Sequence, residues 1–207
     1  MNPKEQLNLL KRLKAISEVG LVYAKDPYDQ ERYEELKQIS LKLMAYMADA
    51  PIKVIQDFFM PEQDYPTPKV DVRGFVLNEK DEILMARESV DGKWTIPGGW
   101  ADIGSTPSEI AVKEIEEETG LQSEVIRFLG VYDKQVHPHP PEPYYIYKLI
   151  FLCKIKGGVL KAGFDMLDAG FFPLHNLPEL SEERILESQL KHLFQLTKSS
   201  ESEVYFD

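Results

Sequence analysis

Three glutamates, Glu114, Glu117 and Glu118, stand close together in the chain, and a glycine pair, Gly98-Gly99, precedes them. At about 100° per residue, Glu114 and Glu118 fall roughly 40° apart on a helix, with Glu117 about 60° to the other side of Glu114. Like charges at these spacings repel. A face built this way either stays solvated or holds a cation. Hard divalent ions such as Mg²⁺ take oxygen ligands and usually reach a protein together with substrate phosphates. The chemistry expected from these residues is metal-assisted work on phosphate, and the alternative is a plain solvated acidic face.

The elements that must position them can be read on either side. Thr106 is a natural N-cap, Pro107 suits a first helical position, and Gly120 ends the helix. The segment Trp94-Thr95-Ile96-Pro97 leads into the glycine turn, with Trp94 expected in the core and Trp100 at the edge of a pocket. Upstream, residues 70–77 and 82–87 read as strands joined by the turn Asn78-Glu79-Lys80-Asp81. Downstream, strands are expected at about residues 123–132, 145–156 and 169–173. A last amphipathic helix follows over roughly residues 182–197, with Ile185, Leu186, Leu190 and Leu193 inward. The polar tail from Lys198 is expected to fray.

The first sixty or so residues read as helical. Leu7, Leu9, Leu10, Leu13, Ile16 and Leu21 mark one helix, Asp26-Pro27 breaks it, and Tyr33, Leu36, Ile39, Leu43, Met44 and Met47 stripe a second. A shorter third segment, carrying Val54, Ile55, Phe58 and Phe59, runs from Pro51 to Pro61. A piece this small with so many apolar positions needs a surface to cover it, either the rest of the chain or a second copy in a homodimer. The organisation expected is a helical domain over 1–62, a linker over 63–68 (Gln63-Asp64-Tyr65-Pro66-Thr67-Pro68) and an α+β domain over 69–207.

The 207 residues carry 35 acidic against 24 basic side chains, a net charge of −11, which argues against broad binding to long nucleic acid. The single cysteine, Cys153, follows the apolar run Leu149-Ile150-Phe151-Leu152; it precludes an internal disulfide framework and reads as a buried strand thiol. No signal-type segment and no apolar run near 18 residues is read, so the expected location is the cytoplasm, with no membrane contact.

The stretch from Gly98-Gly99-Trp100-Ala101-Asp102 to Lys113-Glu114-Ile115-Glu116-Glu117-Glu118-Thr119-Gly120-Leu121 resembles the Nudix box of the Nudix hydrolases. Gly99 matches its first position, Glu114 and Ile115 its glutamate and aliphatic pair, Glu117 and Glu118 its double glutamate, and Gly120 and Leu121 its close. Ser105 and Lys113 depart from the pattern, standing where a glutamate and an arginine are expected. A hydroxyl beside an ammonium can still hydrogen-bond, without the fork of an arginine. The resemblance implies a Nudix-type α/β/α sandwich with a mixed sheet from Lys69 to about Thr197, and hydrolysis of a nucleoside diphosphate linked to another moiety X. It implies Mg²⁺ or Mn²⁺ held by Glu114, Glu117, Glu118 and the Gly98 carbonyl. The general base is Glu114 or Glu117, or else a carboxylate from the loop before the last strand, where Asp165 and Asp168 stand. Arg73 and Arg87 are candidates to clamp phosphates, each with a plain surface ion pair as its alternative.

Specificity is expected from the loop Tyr132-Asp133-Lys134-Gln135-Val136-His137-Pro138-His139-Pro140-Pro141 and the tyrosines that follow, Tyr144, Tyr145 and Tyr147. His137, His139 and Tyr145 are its candidate substrate contacts, able to stack a base or enclose a cationic head group; the alternative is that the prolines merely end a strand. The helical N-terminus, the His-Pro-His-Pro-Pro loop and Gly170-Phe171-Phe172-Pro173 together resemble a Nudix subgroup with an extra N-terminal helical domain. This implies CDP-choline as the substrate, cleaved to CMP and phosphocholine, with ADP-ribose as the alternative. Two rival classes remain: a Nudix-like nucleotide sensor without catalysis, and a hydrolase of RNA ends.

Overall fold

Asn2 starts the first helix by accepting from the Glu5 amide while Glu5 reaches back to the Asn2 amide, a reciprocal cap for α1, Pro3–Tyr23. In this computed structural model, residues 2–59, 66–102, 104–199 and 203–207 are described. The chain divides into two compact units, Met1–Pro68 with Pro141–Tyr144, and Lys69–Pro140 with Tyr145–Asp207. Of the expected linker, residues 63–65 lie outside the described residues, as do Pro61 and the side chain of Phe58.

In the first unit, Asp26 caps α2, Pro27–Met47, by accepting from the Tyr28 amide, and α3 spans Ile52–Phe58. The apolar stripe expected on α2 does not all turn inward. Met44 is buried with Leu41, Ala45 and Ser40, while Leu36, Ile39, Leu43 and Met47 are exposed. The buried set is small in part, which lets α1 and α2 approach closely; between them Glu18 pairs with Lys14 at 2.6 Å and Lys37 at 3.5 Å. Lys14 Nζ also sits 4.5 Å from the Phe59 ring centre. Segment 141–144 belongs here because Lys11 Nζ donates to the Glu142 and Tyr144 carbonyls, and Tyr144 meets Phe59 edge to face.

The second unit is built on two sheets. β1 (Lys69–Val76), β4 (Gly98–Trp100), β5 (Leu121–Asp133), β6 (Ile146–Gly158) and β8 (Tyr205–Phe206) form a mixed sheet in the order β4-β1-β6-β5-β8. β2 (Ile83–Glu88), β3 (Trp94–Thr95) and β7 (Met166–Phe172) form a second in the order β3-β2-β7. β1 runs parallel to β6 and antiparallel to β4. Strand alternation sorts the side chains into two cores. Val72, Val76, Leu84 and Cys153 pack with Ile110, Ala111 and Ile115 of α4, Pro107–Thr119. Phe75, Ile83, Met85 and Ile150 pack with Leu190, Leu193 and Leu196 of α5, Glu187–Lys198. A helix on each face of the strands is the α/β/α sandwich the sequence implied.

Two expectations are corrected. The last helix starts at Glu187 rather than near residue 182, because Ser181 is spent on a turn: its carbonyl accepts from the Arg184 and Ile185 amides and its hydroxyl donates to Asp91. The tail does not simply fray. Residues 200–202 lie outside the described residues, but Tyr205 and Phe206 pair in parallel with Gly130 and Val131. The polar reading missed them because their hold is tertiary: Tyr205 stacks against Tyr132 at 4.7 Å and His192 at 4.5 Å.

Candidate active site

Helix α4 delivers the carboxylates. Thr106 caps it by accepting from the Glu109 amide, Glu109 closes the reciprocal bond, and Gly120 ends it in the left-handed conformation at φ 70°. Ile110, Ala111 and Ile115 fix one side of the helix in the core. That choice of buried face turns Glu118 inward, leaves Glu114 half-buried and points Glu117 to solvent.

Glu118 is 5% exposed, and its Oε2 accepts from the Gly98 amide at 3.1 Å. Gly98 takes φ 145°, a conformation few side chains tolerate, and a Cβ there would stand 2.2 Å from the Val72 carbonyl oxygen. The glycine turn thus lays its backbone directly against the helix carboxylate. Burial pushes the Glu118 carboxyl up to about 8; the Arg73 charge and the Gly98 amide oppose this, while Glu88 and Glu114 add to it. Burial also raises Glu114, reinforced by the charge of Glu117.

Arg73, expected at the phosphates, is instead buried at 6% exposure. Its Nε donates to Asp71 at 2.9 Å and its Nη1 to the Ile96 carbonyl at 3.2 Å. Asp71 lies in register with Lys148 on β6 and pairs with it. Burial disfavours the charge of Asp71, yet Arg73 and Lys148 together hold its carboxyl below its ordinary range. Burial draws Lys148 down to about 8. Arg73 thereby acts on the glutamates as a fixed positive charge anchored from behind.

Arg87 is exposed and spends its Nε on the Gly92 carbonyl at 2.7 Å. Its neighbour Glu88 faces the site: a register shift between the two turns Glu88 inward, where Arg184 holds it at 2.8 Å. Burial raises Glu88, against the charges of Arg184 and Arg73. Asp165 is exposed, and its charge bears on Glu88. Its loop is fastened to the end of α4 by the Gly163 amide, which donates to the Glu118 carbonyl at 2.9 Å. Asp168 stands opposite Arg87 on β7 and accepts from the Ala169 amide. Lys113 does not engage Ser105; it donates to Asp102 at 2.9 Å, with Glu117 at 3.8 Å.

The two histidines expected to meet substrate are held by the protein itself. His137 Nε2 donates to the Asp207 carboxylate at 3.1 Å. His139 is buried, and its Nδ1 donates to the Glu182 carbonyl at 2.6 Å. Burial pulls His139 down to about 4, so the ring is neutral. Tyr145 is half-buried, and its carbonyl accepts from the Lys69 amide. Trp94 packs edge-on against Phe172 at 4.6 Å, while Trp100 is exposed under Lys69.

Among the described residues, no group of three His, Cys, Asp or Glu side chains converges closely enough to grip a metal. Glu117 leans toward Lys113 at 3.8 Å, while Glu118 turns to the Gly98 amide. The donor set nevertheless suits a hard divalent cation, since it consists of oxygens and burial raises two of the carboxylates. Asp71, Lys148, Glu88, Asp102 and Asp207 were not singled out from sequence. Only Glu88, an acidic residue ending a strand before a turn, carries a local signal, and that signal is weak.

Residues 67–194, more than half of the chain, match the NUDIX domain, and residues 4–59 match a UDP-X-like, N-terminal oligomerisation domain. The chain is 43% identical over 201 residues to YjhB of Bacillus subtilis (strain 168), provisionally named an ADP-ribose pyrophosphatase, covering 97% of this chain and 96% of that one. It is 35% identical over 131 residues to an ADP-ribose pyrophosphatase of Methanocaldococcus jannaschii, covering 61% of this chain and 76% of the relative. Among solved structures, a UDP-X diphosphatase aligns with a TM-score of 0.61 at 32% identity, covering 96% of each chain. An ADP-ribose pyrophosphatase from Streptococcus suis aligns at 0.59 with 31% identity, covering 68% of this chain and all of that one. With its glycine turn, its carboxylate helix and these matches over nearly its full length, the chain belongs to the Nudix hydrolase family, as a nucleotide pyrophosphatase.

Proposed function

We propose that the chain hydrolyses the diphosphate of a nucleoside diphosphate linked to X, with ADP-ribose as the first substrate to test. The observation that carries this is the buried Glu118, hydrogen-bonded to Gly98 and raised by burial beside Glu114. The names of the relatives from Bacillus subtilis and Methanocaldococcus jannaschii favour ADP-ribose, and the UDP-X diphosphatase likeness adds uridine conjugates. CDP-choline is the second reading. Tyr147 is exposed on β6, just after the half-buried Tyr145, and an exposed aromatic ring suits a quaternary ammonium.

Nudix hydrolases generally use divalent metal ions. Glu114, Glu117, Glu118 and the Gly98 carbonyl would hold Mg²⁺ or Mn²⁺ here. When bound, such a cation supplies positive charge to the diphosphate and to the attacking water. Water adds to one phosphorus, the bridging P–O bond breaks, and a nucleoside monophosphate and a phosphorylated X leave. Glu114, raised by burial and by Glu117, suits the acceptance of the water's proton, with Glu117 and Asp165 as the other candidates. Arg73 steadies the carboxylates from behind, and Arg87 sits at the rim of strand β2. The chain works as a homodimer through its N-terminal helices, a reading supported by the oligomerisation-domain match and by the exposed Leu36, Ile39 and Leu43.

The test is incubation of the purified protein with Mg²⁺ or Mn²⁺ and ADP-ribose, CDP-choline, a UDP-sugar and a short RNA, with every product identified. Release of AMP and ribose 5-phosphate, stopped by chelator, is the expected result. Tight nucleotide binding without cleavage of any of them points to a sensor, and cleavage of RNA ends alone removes the conjugate reading.

A further inference from the structure

The loop of residues 133–140 is held at both ends by parts of the chain distant in sequence. On one side His139 donates to the Glu182 carbonyl. On the other, the Asp207 carboxylate accepts from the Asp133 amide and from His137 Nε2. Tyr205 OH adds a third donor to Asp207, so this one carboxylate gathers the start of the loop, its first imidazole and the strand that carries it. Internal bonds complete the shape: the Gln135 amide to Asp133 Oδ1, the Val136 amide to the Asp133 carbonyl, and the His139 amide to the His137 carbonyl.

Strand β8 is two residues long and cannot hold itself by pairing alone. The fold prepares a seat for it. Arg127 Nη1 donates to the Glu203 carbonyl at 2.8 Å. Tyr205 enters an aromatic cluster with Tyr132 and His192, whose side chains bond each other at 2.9 Å. Gly130 leaves the space, since a Cβ there would stand 2.4 Å from the Tyr205 carbonyl oxygen.

The loop in turn bears on the charged end of the sheet. Lys134 is buried, its amide donates to the Ile146 carbonyl, and its charge acts on both His139 and Lys148. Lys148 pairs with Asp71, and Asp71 with Arg73 beside Glu118. The loop is thereby linked, through Lys134, Lys148 and Asp71, to the Arg73 charge that acts on Glu118.

We propose that β8 is a clasp on the loop of residues 133–140, with Asp207 its positioning residue, and that closing the clasp sets the affinity for the anionic substrate. This rests on the conjugate-hydrolase reading above. The experiment compares the full chain with Asp207→Ala and Asp207→Glu. It measures amide hydrogen exchange throughout, and kcat and KM with Mg²⁺ on whichever conjugate of the panel is cleaved. In Asp207→Ala the amides of residues 133–137 and 139 should exchange about tenfold faster while those of α4 stay as in the parent. KM should rise about fivefold with kcat within about twofold, and Asp207→Glu should recover both. Unchanged exchange in the loop overturns the clasp. Faster exchange in α4 as well reduces Asp207 to a general stabiliser and also overturns it. Faster loop exchange with an unchanged KM overturns the link to substrate. If the parent cleaves no conjugate, the hydrolase reading fails by itself, and the exchange data alone uphold or overturn the clasp.

Discussion

The helical unit and the sheet unit spend their apolar residues in opposite ways. The sheet unit closes two cores, with Phe75, Ile83, Leu84, Met85, Ile115, Leu190 and Leu193 fully out of water. The helical unit buries only a few, among them Leu41, Met44 and Ala45, and leaves Leu9, Ile16, Leu36, Ile39, Leu43 and Tyr46 exposed. Buried charge differs too. Glu18 sits between two lysines within its own helices, whereas burial raises Glu118 and Glu114 against the charge of Arg73. The difference teaches that the helical unit leaves apolar side chains in water, while the sheet unit buries carboxylates whose charge burial disfavours.

The comparison can be broken most forcefully at Glu118. Glu118→Gln should lower kcat/KM by on the order of a hundredfold or more, because on the proposed assignment it removes a metal ligand worth several kcal/mol in the transition state. The same variant should melt no lower than the parent without metal, since burial already disfavours the carboxylate charge it removes. Turnover near that of the parent would break the assignment. Next, Leu193→Ala, which opens a hole in a finished core, should cost about 2–5 kcal/mol in denaturant unfolding. By contrast, Leu36→Glu with Leu43→Glu should barely move the unfolding of the sheet unit yet lower the mass seen by sedimentation. An unchanged mass would mean that this face is not where copies meet.

Acidity offers a subtler test. The Glu118 carboxyl is pushed up to about 8 from an ordinary 4.5, so the folded chain holds that proton more tightly than the unfolded chain. The stability this supplies is present below about 4.5 and is lost as pH rises through about 8. Saturating Mg²⁺ should remove that slope in thermal melts, and a metal-independent slope would separate Glu118 from any cation. His139 pulls the other way: drawn down to about 4 from 6.5, it lowers stability as pH falls through that interval. The smallest effect is expected from Lys113→Met, which breaks an exposed pair with Asp102 and should change kcat by no more than about twofold. A much larger loss would give that pair a part in orienting α4.

The carboxylate helix was legible because its signals are local. Thr106, Pro107 and Gly120 mark its ends, and the spacing of Glu114, Glu117 and Glu118 declares a face. The longer strands were legible for the same reason, whereas β8 was not, its hold being tertiary. What holds the site was not. Asp71 meets Lys148 because β1 and β6 run side by side in one register, a fact no stretch of either strand contains. His137 and His139 looked like free imidazoles, since spacing cannot reveal that Asp207 and the Glu182 carbonyl claim them. The buried position of Arg73 was hidden likewise: an arginine in a strand reads as exposed until its partners are folded around it. On α2 the apolar period was read correctly as a helix, but what covers it stayed open, because periodicity reports a face and not its neighbour.

The parallel pairing of β1 with β6 has a consequence for the order of assembly. Lys69 to Val76 emerge from the ribosome, then the glycine turn and the carboxylate helix, and only much later Ile146 to Cys153. Until that strand arrives, Asp71 and Arg73 lack Lys148, and β1 exposes one edge. Pairings this distant in sequence are slow to form and leave strand edges open to other chains meanwhile. During synthesis the catalytic helix is therefore complete before the sheet that must carry it, and the growing chain is most exposed to misassociation in that interval.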